Sequence, residues 1–510
     1  MSKYILAHDL GTSGNKATLF DVDGTLVSST LYEYPTYYPH PKWVEQNPEE
    51  WWRAVCDSTK SLLSKVNVKK EEIQVVSFSA QMMGCLLVDQ DGLPLRNMII
   101  WADSRAEKQE MEMIERLGLE RVYEITGHRI SASYSAAKLL WIRENEPEVY
   151  QKAFKMLQAK DFITYRLTGR FISDYSDASG TNLFDIKDKK WSKEIIDKLE
   201  IPFELLPEVY PSTQIAGGVL NSIAEEVGLA PGTPVVIGGG DGSCACVGAG
   251  VVKEGEAYNV LGSSSWTSLV SASPIYDEKM RTFNWVHLDS KLYTPCGTMQ
   301  AAGYSYNWFK NTFCDKEMED ALRDECNPYE LINRKIKNAK PGAGGVLYLP
   351  YLLGERSPRW NLNARGSFVG MSVTTTKGDM ARAVLEGVGY NLKIILNILE
   401  AGKPIEQIAV IGGGAKGKEW LQILADIWQR ELVLPMHPEE ATSMGAAVCA
   451  GVGIGIFKDF SEVKRFNYVQ EKVLPNKNNK DIYEQLYKIF NLTYERMAEV
   501  YDALASIKMV

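Results

Sequence analysis

The chain is poor in the residues that build metal clusters and covalent staples. Its 510 residues include 5 histidines and 8 cysteines. Only Cys244 and Cys246 stand close together, so no zinc-ligand spacing is present and the cysteines read as reduced, packed thiols. No apolar run is long enough to cross a bilayer, and the opening MSKYILAHDLG lacks the block layout of a secretory leader. Basic residues are in deficit: 56 Lys and Arg against 65 Asp and Glu leave a formal charge of -9, which argues against a nucleic acid or an anionic membrane as main partner. Low-complexity linkers are missing too, so two halves are expected to meet directly across a cleft. With 510 residues to fill two cores, a cytoplasmic, two-domain globular protein is expected.

What is there centres on one stretch, VVIGGGDGSCACV, from Val235 to Val247. Val235, Val236 and Ile237 suit a buried strand, and Gly238, Gly239 and Gly240 allow a sharp turn and the close approach of a ligand. Asp241 follows directly. It is either a helix N-cap or the carboxylate that does the chemistry. The phrase recurs at IAVIGGGAKGKEW, Ile408 to Trp420, with Ala415 where the first copy has Asp241. Two copies imply a duplicated fold, and the difference makes Asp241 the leading catalytic candidate.

Each half also opens alike. Tyr4–Ala7, then Asp9, Gly11, Thr12, Ser13 and Gly14, then Ala17–Asp21 reads as strand, Gly/Ser/Thr turn and strand. Tyr258–Leu261, Gly262, Ser263, Ser264, Ser265 and Thr267–Val270 repeat it. The amides and hydroxyls of such a turn can face one anion. Asn47 and Pro48 read as the cap and first residue of a helix running through Leu63. Ile73–Ser79 is a strand that delivers Gln81, Met82, Met83 and Gly84 to its C-terminal end, as a substrate wall or as core filler. Trp101, Asp103 and Arg105 either line a polyol pocket or form a surface ion pair. Ser133–Asn145 and Pro147–Leu167 read as helices, Asp174–Thr181 as a polar loop, Val346–Tyr351 as a strand, and Asp379–Leu399 and Ala441–Gly455 as helices.

Two short motifs mislead. Gly412, Gly414 and Gly417 satisfy the dinucleotide fingerprint G-x-G-x-x-G, which keeps a nicotinamide-dependent dehydrogenase open, although the next strand runs into Pro435 rather than a ribose-binding acid. Gly412, Gly417 and Lys418 spell most of a Walker A loop, but Glu419 stands where a Ser or Thr must reach magnesium.

Over most of its length, from Asp9 to about Phe457, the sequence resembles the FGGY family of carbohydrate kinases. Ser133, Ser135, Lys138, Trp141 and Asn145 fit one family signature, and Gly366, Phe368, Gly370, Asp379, Ala383 and Glu386 fit the other. The resemblance implies an α/β fold of two duplicated RNase H-like, actin-like ATPase domains, residues 1–250 and 251–510, with a catalytic cleft between them. It implies ATP and Mg2+, with Asp241 as general base and Asp9, together with Asp241, at the metal. Gly11, Thr12, Ser13 and Lys16 would face the β- and γ-phosphates, Gly262 and Ser263 the second phosphate loop, Gly303 and Asn307 the nucleotide flank, and Gly413, Gly414 and Lys416 the adenosine. Within the family the segment Pro39–Trp52, Trp101 to Arg105 and Ser176 to Thr181 are similar to the xylulose kinases, which implies D-xylulose as acceptor and D-xylulose 5-phosphate as product. Gln81, Met82, Met83, Trp101, Asp103, Arg105, Asp241 and Gly242 are then the sugar-side positions. Met83 stands where that pattern has His, and Gly242 where it has Asn. Losing two hydrogen-bonding side chains penalises an unpaired sugar hydroxyl by about 1–3 kcal/mol each. Another pentulose, a polyol, a sugar acid or a modified sugar therefore stays open, as does a homodimer. A nonenzymatic actin-like ATPase and the dehydrogenase are the distant alternatives.

Overall fold

Two seven-stranded sheets carry the chain. The computed structural model describes residues 3–400 and 404–507, and the outermost residues of the two expected domains lie outside them. In the first sheet β1 (Tyr4–Leu10), β2 (Gly14–Asp21) and β3 (Leu26–Glu33) form an antiparallel meander. On the other side of β1 lie β4 (Ile73–Ala80) and β6 (Pro234–Val236), both parallel to it, and then β5 (Ile215–Gly218) antiparallel at the edge. A two-residue strand, β7 (Gly239–Gly240), continues beside the end of β4.

The second sheet repeats the order. The antiparallel strands β8 (Ala257–Leu261), β9 (Ser265–Leu269) and β11 (Tyr293–Met299) match the first meander, with β10 (Phe283–Val286) added outside. Beyond β8, β12 (Gln407–Ile411) and β13 (Glu431–Pro435) run parallel, and β14 (Val469–Val473) closes the edge antiparallel. The duplication expected from the repeated glycine runs is thus a duplication of topology.

Local chemistry explains the helices that frame this. In α1 (Pro48–Val66) the Asn47 side chain accepts the Glu49 N–H, Pro48 fills the first position, Glu49 and Glu50 face the positive end, and Asn67 at φ 53° ends it. Helix α2 spans Ser135–Asn145 and α3 Ala159–Thr168. The second half contributes α6 (Gly303–Phe313), the buried α7 (Lys377–Leu399), α8 (Lys418–Trp428) and α9 (Ala441–Gly453).

Two segments differ from expectation. Pro147–Leu167 is not one helix: a helix ends at Lys152, and Lys155–Leu157 then pairs with Leu86–Val88 before α3 begins. Burying Met156 and Leu157 in a ladder outweighs continuing the helix. Asp174–Thr181 is not a loop but a short helix, α4 (Tyr175–Ala178), followed by a 3-10 turn. Asp174 caps it by accepting the Ser176 and Asp177 N–H groups.

The halves share a core. Helix α5 (Asp241–Gly248) crosses α9 backbone against backbone. A Cβ on Gly248 would lie 1.6 Å from the Ala441 carbonyl, and one on Gly445 would lie 1.9 Å from that of Cys244. Through this crossing Met444, Ala447 and Val448 of α9 join Ile5, Val75 and Val236 of the first sheet in one apolar cluster.

Candidate active site

Strand register assembles the centre. Asp9 of β1 pairs with Ser79 of β4, which pairs in turn with Gly239 of β7. Lys16 of β2 stands opposite Asp9 on the other side. Gly238 makes the approach possible at φ +75°, where a side chain would meet the Phe78 carbonyl at 1.9 Å. Asp241 is therefore delivered to the C-terminal end of the sheet next to Asp9, where open α/β sheets place their ligands. It is not an N-cap: Gly240 holds that place, and Asp241 is the first helical residue, its Oδ1 accepting the Gly242 N–H at 2.7 Å.

The electrostatics follow from this crowding. Burial pushes the Asp241 carboxyl from 3.8 up to about 7, the charge of Asp9 adds to the rise, and the Gly242 N–H opposes it. Burial also raises Asp9, against the pull of Ser79 and Lys16. Neither carboxylate has an ion-pair partner among the described residues. Among the described residues no three His, Cys, Asp or Glu side chains form a self-sufficient metal site. Two facing carboxylates suit a magnesium ion, which binds through one or two carboxylates and completes its shell with phosphate and water.

The first turn is held from behind. The Tyr34 hydroxyl donates to the Gly11 carbonyl, Gln46 Nε2 to the Thr12 carbonyl at 2.6 Å, and Trp101 Nε1 to Thr12 Oγ1 at 2.9 Å. Ser13 is exposed. Lys16 crosses to the second half and donates to the Glu439 carbonyl at 3.0 Å, and Lys416 pairs with the Glu439 carboxylate. The equivalent turn of the second half sits on the start of α6: Gly303 N–H donates to Gly262 O at 2.9 Å, and Tyr304 N–H to Ser263 O at 3.0 Å. A Cβ on Gly303 would come within 2.5 Å of that Gly262 oxygen. Gly414 closes on Leu261 at the end of β8, while a Cβ on Gly413 would meet nothing within 4 Å. Gly262, Ser263, Gly303, Gly413 and Gly414 are thus neighbours. Asn307, one turn along α6, accepts from the Tyr329 hydroxyl at 3.2 Å.

Comparison with known proteins fits this geometry. Residues 4–248 match the N-terminal domain and residues 257–454 the C-terminal domain of the FGGY family of carbohydrate kinases. The chain belongs to the FGGY family. It is 35% identical over 511 residues to a xylulose kinase of Staphylococcus epidermidis, covering 99% of both chains. It is 33% identical over 492 residues to a gluconokinase of Bacillus subtilis, covering 96% of this chain and 95% of the relative. A crystal structure of gluconate kinase from Lactobacillus acidophilus superposes with a TM-score of 0.92 at 27% identity, over 99% of this chain and all of that one. The chain is a carbohydrate kinase, and the dehydrogenase and nonenzymatic readings fall away.

Not every sugar-side expectation for this FGGY kinase survives. Asp103 and Arg105 are neither pocket wall nor surface pair: both side chains are fully buried. Asp103 accepts the Val44 N–H and the Arg105 guanidinium, which also pairs with Glu45 and stacks 4.0 Å from the Trp43 ring. Arg105 Nε and Nη2 are spent on Asp103 and Glu45, so the pair braces the Trp101 loop from behind, while Arg105 Nη1 stays buried without a hydrogen-bond partner. Met82 is core, packed on Gly240, but Met83 is half-buried at φ 63° with its carbonyl held by Lys138 Nζ at 2.8 Å. Gln81 Nε2 donates to Gln46 Oε1 at 2.6 Å, which leaves Gln81 Oε1 buried without a partner. Beside Asp241, a Cβ on Gly242 would meet nothing within 4 Å.

Sequence reasoning missed a buried charge cluster beneath the turn that carries Asp241. Lys160 is fully buried, with Nζ 2.7 Å from Asp161, 2.9 Å from Asp174 and 3.1 Å from Asp177. The paired acids hold its ammonium well above the ordinary range despite burial, and burial raises Asp177. A polar run as dense as Asp174–Thr181, too long for a turn, was the available signal.

Proposed function

We propose that the protein transfers the γ-phosphate of ATP, as its magnesium complex, to a hydroxyl of a ketopentose, with D-xylulose as leading acceptor and D-xylulose 5-phosphate as product. One observation carries the phosphoryl transfer: Asp241 stands beside Asp9 at the C-terminal end of the sheet of a carbohydrate kinase, its carboxyl raised by burial, and the 35% identity to a xylulose kinase supports the acceptor. A base poised near neutral pH takes the acceptor proton efficiently, and in a loose phosphoryl-transfer transition state its position matters most. Asp241 is that base. Asp9 and Asp241 would hold the magnesium, which when bound would neutralise charge on the phosphates. Gly11, Thr12, Ser13 and Lys16 face the β- and γ-phosphates from one side, and Gly262 and Ser263 from the other. Gly303, Asn307, Gly413, Gly414 and Lys416 form the nucleotide bed. Gln81, Met83, Trp101 and Gly242 line the sugar site, so residues 1–250 serve mainly the sugar and 251–510 the nucleotide. The eight cysteines are all free, in keeping with a cytoplasmic setting.

A second reading, a sugar acid as acceptor, is favoured by Arg356. Its Nε is buried without a hydrogen-bond partner, the one hydrogen bond its side chain makes among the described residues is a long 3.4 Å bond to Gln300, and it has no ion pair among them, although its charge pulls against the burial-raised Glu355 carboxyl. Its charge is felt at Lys138, which anchors Met83, and at Cys296, which also feels Asp241. A carboxylate would complete it. ADP release measured across pentuloses, aldonic acids, aldoses and polyols, each against a sugar-free blank, separates the readings. A rise with D-xylulose supports the first and a rise with gluconate alone supports the second. No rise with any member of the panel overturns both.

A further inference from the structure

The turn that carries Asp241 is gripped on both sides. Ahead of it, the Gly240 N–H donates to the Ser176 hydroxyl at 2.9 Å, and that hydroxyl donates to Asp174 Oδ2 at 2.5 Å. The same carboxylate oxygen accepts from the Ser212 hydroxyl at 2.7 Å, and its other oxygen faces Lys160. This side is anchored in the buried charge cluster of the first half. Behind Asp241, the grip comes from the second half. The Tyr258 hydroxyl donates to the Gly242 carbonyl at 2.7 Å and accepts from Trp266 Nε1 at 3.1 Å.

Tyr258 lies on β8 and Trp266 on β9, the two strands that carry the Gly262–Ser263 turn between them. Tyr258 is 1% exposed, and its hydroxyl is bonded to both of these groups. A phenylalanine ring would fill the same space, so the oxygen adds a bond rather than bulk. That bond joins the phosphate-side hairpin of one half to the first turn of α5 in the other.

We propose that Tyr258 is a positioning residue. It fixes the Asp241 turn against the second hairpin, and Ser176 fixes the same turn against the first half. Any shift of the hairpin on engaging phosphate then moves the base through one hydrogen bond. The inference rests on Asp241 acting as base.

Steady-state kinetics of Tyr258→Phe and Ser176→Ala, with the acceptor that the panel identifies, test it. For Tyr258→Phe the expected result is a fall in kcat of about tenfold, from a base held less firmly in place, with KM for sugar and for ATP within twofold of wild type. Because either substitution frees the same turn, the double variant loses less than the product of the two single effects. Should Tyr258→Phe not fold, Trp266→Phe removes the donor that orients the same hydroxyl and lowers kcat about threefold with KM unmoved. A kcat within twofold of wild type in the folded variant overturns the proposal, as does a loss confined to KM or to the unfolding midpoint. Asp241→Asn in the same series keeps the two readings apart. If it retains wild-type kcat, the assignment of the base fails, whereas silence of Tyr258→Phe alone rejects only the positioning role.

Discussion

Replacing Asp241 by Asn should damage catalysis and strengthen the fold at the same time. Asn keeps the shape and can still accept the Gly242 N–H, so the change removes charge and little else. The folded carboxyl titrates near 7, an unfolded one near 3.8. Between those values the folded wild type holds a proton at Asp241 that the unfolded chain has released, so the contribution of Asp241 to stability falls as pH rises from about 4 to 7 and is flat above. Three units at about 1.4 kcal/mol each set an upper bound of roughly 4 kcal/mol at pH 8, which relaxation around the cleft reduces. Denaturant unfolding of both proteins without nucleotide or magnesium, from pH 4 to pH 8, reads this directly. The Asn variant should match wild type near pH 4, gain up to about pH 7 and keep that gain to pH 8, while its kcat drops about 10³-fold. Equal or lower stability of the variant at pH 8 would refute the argument that Asp241 is held ionised at a cost.

Three further outcomes follow from the same geometry. Asp9→Asn takes away the second cause of the Asp241 shift, so the acid limb of residual kcat/KM moves to lower pH, and more magnesium is needed for half-maximal rate. Gly242→Asn enters open space and places an amide beside Asp241. It should fold normally and raise kcat/KM for D-xylulose about tenfold, the worth of one well-paired hydroxyl, whereas an unchanged or lower value counts against Gly242 as a sugar contact. Lys160→Met strands three buried carboxylates without their cation and should cost about 3–5 kcal/mol of unfolding free energy, read by denaturant titration.

How much of this was legible in the sequence depended on range. The two hairpins and both glycine runs announced themselves because a tight turn at a strand end has local requirements, visible in Gly238 and Gly412 at positive φ. The Asn47–Pro48 helix start was legible for the same reason. Asp103 and Arg105 were not, since only tertiary structure brings Trp43, Val44 and Glu45 around them and turns two surface-like charges into a closed network. Lys160 gave no sign either: one lysine in a helix is ordinary until Asp174 and Asp177 arrive from the next segment. Tyr258 looked like any strand aromatic, because the carbonyl it grips lies 16 residues earlier and in the other half.

Helix α9 has a consequence for how the chain can be taken apart. By position it belongs to the second half, yet Met444, Ala447 and Val448 cover the face of the first sheet formed by Ile5, Val75 and Val236. A fragment ending near residue 250 would leave that face bare, and one starting there would leave α9 with its apolar side unpartnered. The duplicated halves are therefore not interchangeable modules but a single interlocked body. A gene split at the obvious boundary should yield two insoluble pieces that recover activity only when they fold together.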